Sequence, residues 1–362
     1  MRSNVVLAGA LVVTLGVVLA TGRSGTTPAP AKAPAALAAA AAVPAIALEP
    51  GQRPPQFVIV SFDGAGDHDK WTFWRGVAAK SGMRFTGFLS GVYLLDRDHR
   101  TDYTGPGHAA GASSLGSWNT PAEVRTLVRD LNSAYGAGME IGTHYNGHFC
   151  AGSAPSGGDW STAAWSSELS QFFRFWTAHH DLTIPASTVR GGRTPCLEDQ
   201  PDQLGPALKA KGFSYDTSRT ANGISWPERD RWGLWEFPLA YVPLAGTGSG
   251  VISMDYNFWV KQTGNPPSTH DTAASSRQVL QTYRAMYKAA YSGNRAPLVL
   301  GNHFNSWNGN AYTQALAHFV EETCRKPETR CVPYRDVIAW MQAQTPATLK
   351  ALQARPPVYT VG

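Results

Sequence analysis

Strand-like apolar runs and helix-period stretches alternate along this chain from Phe57 almost to its end, and that alternation is what most limits its fold. Phe57 to Phe62 (FVIVSF) is a β-branched run of strand length. Trp71 to Lys80 follows with apolar residues at Trp71, Trp74, Val77 and Ala78, the period of a helix face. Arg84 to Leu89 reads as a second strand. Thr120-Pro121-Ala122-Glu123 then supplies an N-cap, a proline at the first helical position and a capping-box glutamate ahead of Val124, Leu127, Val128 and Leu131. Met139 to Ile141 is a short strand. Ser161 to His180 is a helix whose Trp165, Leu169, Phe172, Phe173 and Trp176 make one core-facing stripe, and a strand is expected near Ser187 to Arg190. A helix near Pro201 to Lys211, strands near Leu234 to Phe237 and Val251 to Met254, a helix from Asp271 to Ser292 and the strand Pro297 to Gly301 continue the pattern. Helices near Ala311 to Thr323 and Asp336 to Ala343 complete it. Repeated βα units over this length predict a parallel barrel or a doubly wound sheet.

The ends of the 362-residue chain have a different composition. Arg2, the uncharged apolar run Val5 to Ala20 and then Thr21-Gly22-Arg23 have the layout of a secretory signal peptide. The run approaches the ~20 residues that a membrane span needs, so residues 1–24 are expected to be a signal peptide or a signal anchor that tethers the protein to a membrane. Either way the protein is expected to be exported. Residues 25–54, rich in Ala, Pro and Thr, read as a linker, residues 55–345 as one domain, and residues 346–362 as a C-terminal tail. The net charge of +5 is scattered and forms no basic run, which argues against a nucleic-acid partner. In an exported protein, four cysteines suggest two disulfides. Cys324 and Cys331 are close enough to bridge a short loop, leaving Cys150 to pair with Cys196.

Polar residues gather at the ends of the expected strands: Ser61-Phe62-Asp63-Gly64, then His144 and His148, then Arg193-Thr194-Pro195-Cys196, then Gly301-Asn302-His303. Strand-end residues of a barrel converge at one mouth. Three residues separate His144 from His148, a spacing that presents two imidazoles to one ion, and Gly142, Asn146 and Gly147 place the pair on a loop rather than a helix. Two imidazoles with a carboxylate suit a divalent cation such as zinc, which lowers the pKa of water toward ~7. Asp63 is the available carboxylate and proton acceptor, and His303 a suitable acid for the leaving group. A backbone N–H beside Pro195 could help hold an oxyanion. Asp255 is a candidate partner for His303. The long loops from Tyr93 to Asn119 and from Thr217 to Trp232 are expected to carry binding functions, with Trp118, Trp226, Trp232 and Trp235 as candidate platforms for sugar rings.

The order SFDG, GTHYNGH, RTPC, WEFP and LGNH resembles the polysaccharide deacetylase family of carbohydrate esterases, which includes chitin and peptidoglycan deacetylases. The resemblance runs from about Pro55 to Ala343. It implies an α/β fold, a distorted parallel (β/α) barrel in a single domain, and removal of acetyl groups from an N-acetylated polysaccharide. By that resemblance His144 and His148 bind the metal, Arg193 orients the catalytic aspartate, His303 is the general acid and Asp63 the base. The family's first motif carries two aspartates, and Gly64 stands where the second, a metal ligand, is expected. The expected metal set is therefore Asp63, His144 and His148, with Asp67 or Asp69 as possible substitutes for the missing carboxylate. A second alignment makes Asp63 the second aspartate and leaves the base missing. The enzyme reading is thus a monomeric deacetylase, and the alternative is a carbohydrate-binding protein of the same fold without turnover.

Overall fold

The computed structural model describes residues 45–264 and 267–359. The expected signal segment, most of the expected linker and the last three residues lie outside them. Among the described residues twelve strands form two sheets: β1 Gln56–Asp63, β2 Thr86–Leu89, β3 Glu140–Thr143, β4 Gly191–Gly192, β5 Tyr215–Asp216, β6 Thr220–Asn222, β7 Glu228–Arg229, β8 Trp235–Glu236, β9 Leu239–Pro243, β10 Gly250–Ile252, β11 Leu298–His303 and β12 Thr329–Cys331. The large sheet runs β11-β1-β2-β3-β4-β5-β8-β7, and β12 also pairs with β1. All its pairs are parallel except β7 with β8. This is the expected α/β architecture, a curled and mostly parallel sheet that covers part of a barrel's circumference.

Strand β1 is buried along all eight residues, as its unbroken apolar run requires of a sheet covered on both faces. Its two edges explain the curl. One side pairs with β11 over six residues, while the other meets β12 at Gln56 to Val58 and β2 at Ser61 to Asp63. The helix His68–Ser81 buries Trp71, Trp74, Val77 and Ala78, the four residues whose spacing predicted it. At Pro121–Gly136 the capping box forms as expected, Thr120 accepting from the Glu123 N–H while Glu123 accepts from the Thr120 N–H.

Other segments depart from expectation. Residues 187–190 do not form a strand. Ala186–Thr188 is a 3-10 turn, and the sheet continues only through the two glycines of β4. Glycine has poor strand propensity, so nothing local marks that strand. The glycines are required from outside, because a Cβ on Gly191 would lie 1.9 Å from the Tyr215 ring. The helical stripe of Thr162–Ala178 buries Phe175 in place of Phe173, which is only partly buried. Asp255–Thr263 is an unexpected nine-residue helix, started by Met254 without a side-chain cap. Strands β6, β9 and β10 form a small second sheet beside the large one, ordered β10-β9-β6. Within the segment read as a tail, Pro346–Gln353 is helical, and Val358 exchanges backbone hydrogen bonds with Ile224. At the other end the Leu48 N–H donates to Gln344, so the last part of the expected linker docks on the domain.

Candidate active site

Strand register brings the strand-end residues together. Asp63 is paired with His303 across β1 and β11, and Thr143 with Gly192 across β3 and β4, so the next residues, His144 and Arg193, leave the sheet side by side. With parallel strands all four emerge at the same end. Asp63, His144, His148 and His303 line one cavity of about 600 Å3, together with Gly64, Tyr93, Leu115, Thr194 and Cys196.

The histidine segment is a loop, as expected, with Tyr145 and His148 in the left-handed region at φ 57° and 58°. Two anchors hold it. The Tyr145 ring packs 4.8 Å from that of Trp165, and Glu168, on the same helix as Trp165, accepts from the N–H groups of Asn146 and Gly147 and from the Tyr103 hydroxyl. Burial pushes the Glu168 carboxyl up to about 7 against the pull of those hydrogen bonds. Sequence reasoning missed Glu168, because a single acidic residue inside an apolar stripe carries no local signal. A disulfide from Cys150 to Cys196 ties this loop to the segment after β4, and the second joins Cys324 to Cys331, both as expected.

The His144 ring donates from Nδ1 to the Arg193 carbonyl at 2.8 Å, because a carbonyl can only accept. Its Nε2 therefore carries the lone pair, and that atom is buried without a hydrogen-bond partner among the described residues. Burial followed by the neighbouring His303 lowers the His144 pKa to about 3, and burial followed by His144 lowers His148 to about 3, so both rings are neutral across the physiological range. Their centroids are 5.1 Å apart. Two neutral imidazoles, one with an orphaned buried lone pair, form a donor set that fits a divalent cation such as zinc.

Arg193 is wholly buried and its fork is fully used. Nε donates to the Thr217 carbonyl, Nη1 to Ser61 and Asp63, and Nη2 to the hydroxyls of Thr217 and Tyr334. The Asp63 carboxylate is thus fixed at 3.0 Å from a guanidinium that cannot itself move. His303 donates from Nδ1 to Asp255 at 2.7 Å, and Asp255 also accepts from the His303 backbone N–H and from Asn305. Burial lowers the imidazole, but the Asp255 carboxylate outweighs it, and the His303 pKa lies above its ordinary value. With 23 % of that side chain open to the mouth, the burial penalty is incomplete.

Several expected contributors lie elsewhere. Asp67 is an exposed N-cap that accepts from the Lys70 N–H, and Asp69 is exposed in the first turn of the same helix; neither lines the cavity. Among the described residues, the group of three donors that closes to within 4.8 Å is His148, Cys150 and Cys196, whose sulfurs are already bonded to each other. Asp63, His144 and His148 do not close to that spacing. Trp226 and Trp235 are 3 % and 2 % exposed, too buried to receive a sugar, and neither Trp118 nor Trp232 reaches the cavity. The aromatic side chains on the cavity wall are instead Tyr93, Tyr256, Phe304 and Trp307.

No family profile and no curated protein matches the sequence. Solved structures do match. A Mycobacterium smegmatis protein assigned as a polysaccharide deacetylase shares 14 % identity over 89 % of this chain and 99 % of its own, with a TM-score of 0.52. A family 4 carbohydrate esterase from Streptomyces lividans, solved with acetate, shares 14 % identity over 77 % of this chain and 92 % of its own, with a TM-score of 0.40. A pseudoenzyme of that esterase family from Bacillus anthracis shares 11 % over 74 % and 60 %, with a TM-score of 0.37. At such identities the first match transfers architecture and not substrate. In its curled parallel sheet, this chain has the fold of the polysaccharide deacetylases.

Proposed function

We propose that this chain is an exported, metal-dependent hydrolase that removes acetyl groups from an N-acetylated polysaccharide of the chitin or peptidoglycan type. The observation that carries the reading is the buried Nε2 of His144, unpartnered among the described residues, which shares a cavity with His148, Asp63 and His303, the last two paired outside its lining with Arg193 and Asp255. His144 and His148 hold the ion, which when bound supplies Lewis acidity and a lowered pKa for water. The Asp63 carboxylate, kept in place through Oδ1 by Arg193, accepts the proton of the attacking water. His303, whose Nδ1 is committed to Asp255, donates from Nε2 to the leaving nitrogen. A pure binding protein has no use for separate proton-accepting and proton-donating groups. Two disulfides fit an oxidising compartment outside the cytosol.

Gly64 favours the second reading, a carbohydrate-binding protein without turnover. Metal analysis combined with acetate release from chitooligosaccharide or peptidoglycan separates the two. The enzyme reading expects about one divalent ion per chain and acetate release, both lost in His144→Ala. Metal and glycan binding without acetate release supports the binding protein. Metal content and acetate release both unchanged in His144→Ala sink the proposed centre.

A further inference from the structure

Gly64 lines the cavity in the left-handed region at φ 63°, and among the described residues other than Gly64 and its two chain neighbours a single heavy atom lies within 4 Å of the place where its Cβ would stand, the Tyr93 hydroxyl oxygen at 4.0 Å. A carboxylate on residue 64 would extend a further ~2.4 Å from that Cβ, by ordinary bond lengths. The phenol oxygen therefore lies beyond the reach of such a carboxylate but borders the space it would fill, on the wall of the same cavity. The ring is held there with little freedom. It lies flat against Gly66, where a Cβ would come within 2.4 Å of it, so Gly66 has to be a glycine for Tyr93 to sit as it does. Its backbone is fixed in the 3-10 turn Gly91–Leu94, the Tyr93 N–H donating to the Ser90 carbonyl and Asn119 donating to the Tyr93 carbonyl. The hydroxyl itself has no hydrogen-bond partner among the described residues, so no structural bond accounts for its position. Across the same cavity the His144 lone pair is also unpartnered.

We infer that the Tyr93 phenol oxygen is the third protein donor to the ion held by His144 and His148, taking the part of the carboxylate absent at Gly64. Each glycine has a use in that arrangement: Gly64 leaves the space open and Gly66 admits the ring. On binding, the phenol loses its proton to solvent and the oxygen bonds to the cation, so charge balances with one proton released. A phenolate supplies the negative charge that the missing aspartate would have given, and an oxygen donor beside two imidazoles suits zinc or copper.

This inference rests on the metal-centre reading proposed above, and its test uses binding and spectroscopy rather than turnover. Metal-free full-length protein is titrated with Cu(II) and its visible absorption recorded, and zinc affinity is measured by competition with a chromophoric chelator. Tyr93→Phe keeps the ring against Gly66 and removes a hydroxyl that supports no fold contact, so folding is preserved. The expected result is a phenolate-to-copper charge-transfer band in the natural protein that is absent from Tyr93→Phe, with zinc affinity lower by about tenfold or more in the variant. A natural protein without the band, or a Tyr93→Phe protein with the same spectrum and zinc affinity, overturns the inference. His144→Ala distinguishes the two levels. If it abolishes zinc binding while Tyr93→Phe changes nothing, the Tyr93 assignment fails and the centre stands; if it leaves zinc binding intact, the centre itself fails.

Discussion

At the scale of single residues the site is a set of paired groups, each member set by the other. Asp63 depends on Arg193 for its position, His144 on the Arg193 carbonyl for its tautomer, and His303 on Asp255 for its basicity. On the proposed function His303 must be protonated to act as the acid, so the alkaline limb of acetate release is expected to follow its pKa. Asp255 holds that pKa up, and Asp255→Asn therefore moves the limb to lower pH. The measurement is kcat/KM for acetate release against pH in both proteins, and an alkaline limb that does not move shows that another group is the acid. Asp63, His144, His148, Arg193 and His303 were legible in the sequence because each sits beside a strand end in a short motif. Tyr334 and Glu168 were not. Each reaches the site across more than a hundred residues or from inside a helix, through contacts that only the folded chain creates.

At the scale of elements, the helix Thr162–Ala178 has a second task besides its core stripe, since Glu168 clamps the histidine loop. Replacing Glu168 by Ala removes the acceptor of the Asn146 N–H and of the Tyr103 hydroxyl, both buried, while the Gly147 N–H keeps the Tyr103 oxygen. An unpaired buried donor costs about 1–3 kcal/mol, so Glu168→Ala is expected to destabilise the fold by on the order of 3 kcal/mol. The loop loosens with it, and zinc affinity falls although Glu168 is not a ligand. Chemical denaturation and zinc competition check both effects; unchanged zinc affinity in a destabilised variant would show that the disulfide to Cys196 holds the loop by itself. Elements with a strong local pattern were readable: the β1 run, the capped helix Pro121–Gly136 and the long helix Thr272–Ser292. The two-residue strands and the small sheet were not, because backbone pairing and glycine contacts with Tyr215 and Thr143 decide them, and neither leaves a periodicity in the sequence.

At the scale of the whole molecule, the buried ionisable groups of the site tie stability to pH with opposite signs. His144 and His148 titrate near 3 when folded and near 6.5 when unfolded, so between those values the unfolded chain binds more protons and stability falls as pH falls. Glu168 runs the other way. Its folded pKa near 7 lies above the unfolded value of about 4.5, so between those values the folded chain binds more protons and stability falls as pH rises. From 4.5 to 6.5 the glutamate offsets one imidazole, while below 4.5 both imidazoles act unopposed by it, each by up to about 1.4 kcal/mol per pH unit. These three groups together therefore contribute a loss of stability on acidification that is steepest below pH 4.5, about half as steep from 4.5 to 6.5 and reversed from 6.5 to 7, while the buried carboxyls of Asp216 and Glu236, raised to about 6 and about 9, run with Glu168 and oppose it. Denaturation midpoints from pH 3 to 7 in the presence of a chelator test this in three proteins. His148→Asn should flatten the slope below 4.5, and Glu168→Gln should steepen the rise of stability with pH between 4.5 and 7. Parallel curves for the natural protein and His148→Asn would mean that His148 is not held neutral by the fold, and an imidazole already charged in the empty site is a poor metal ligand.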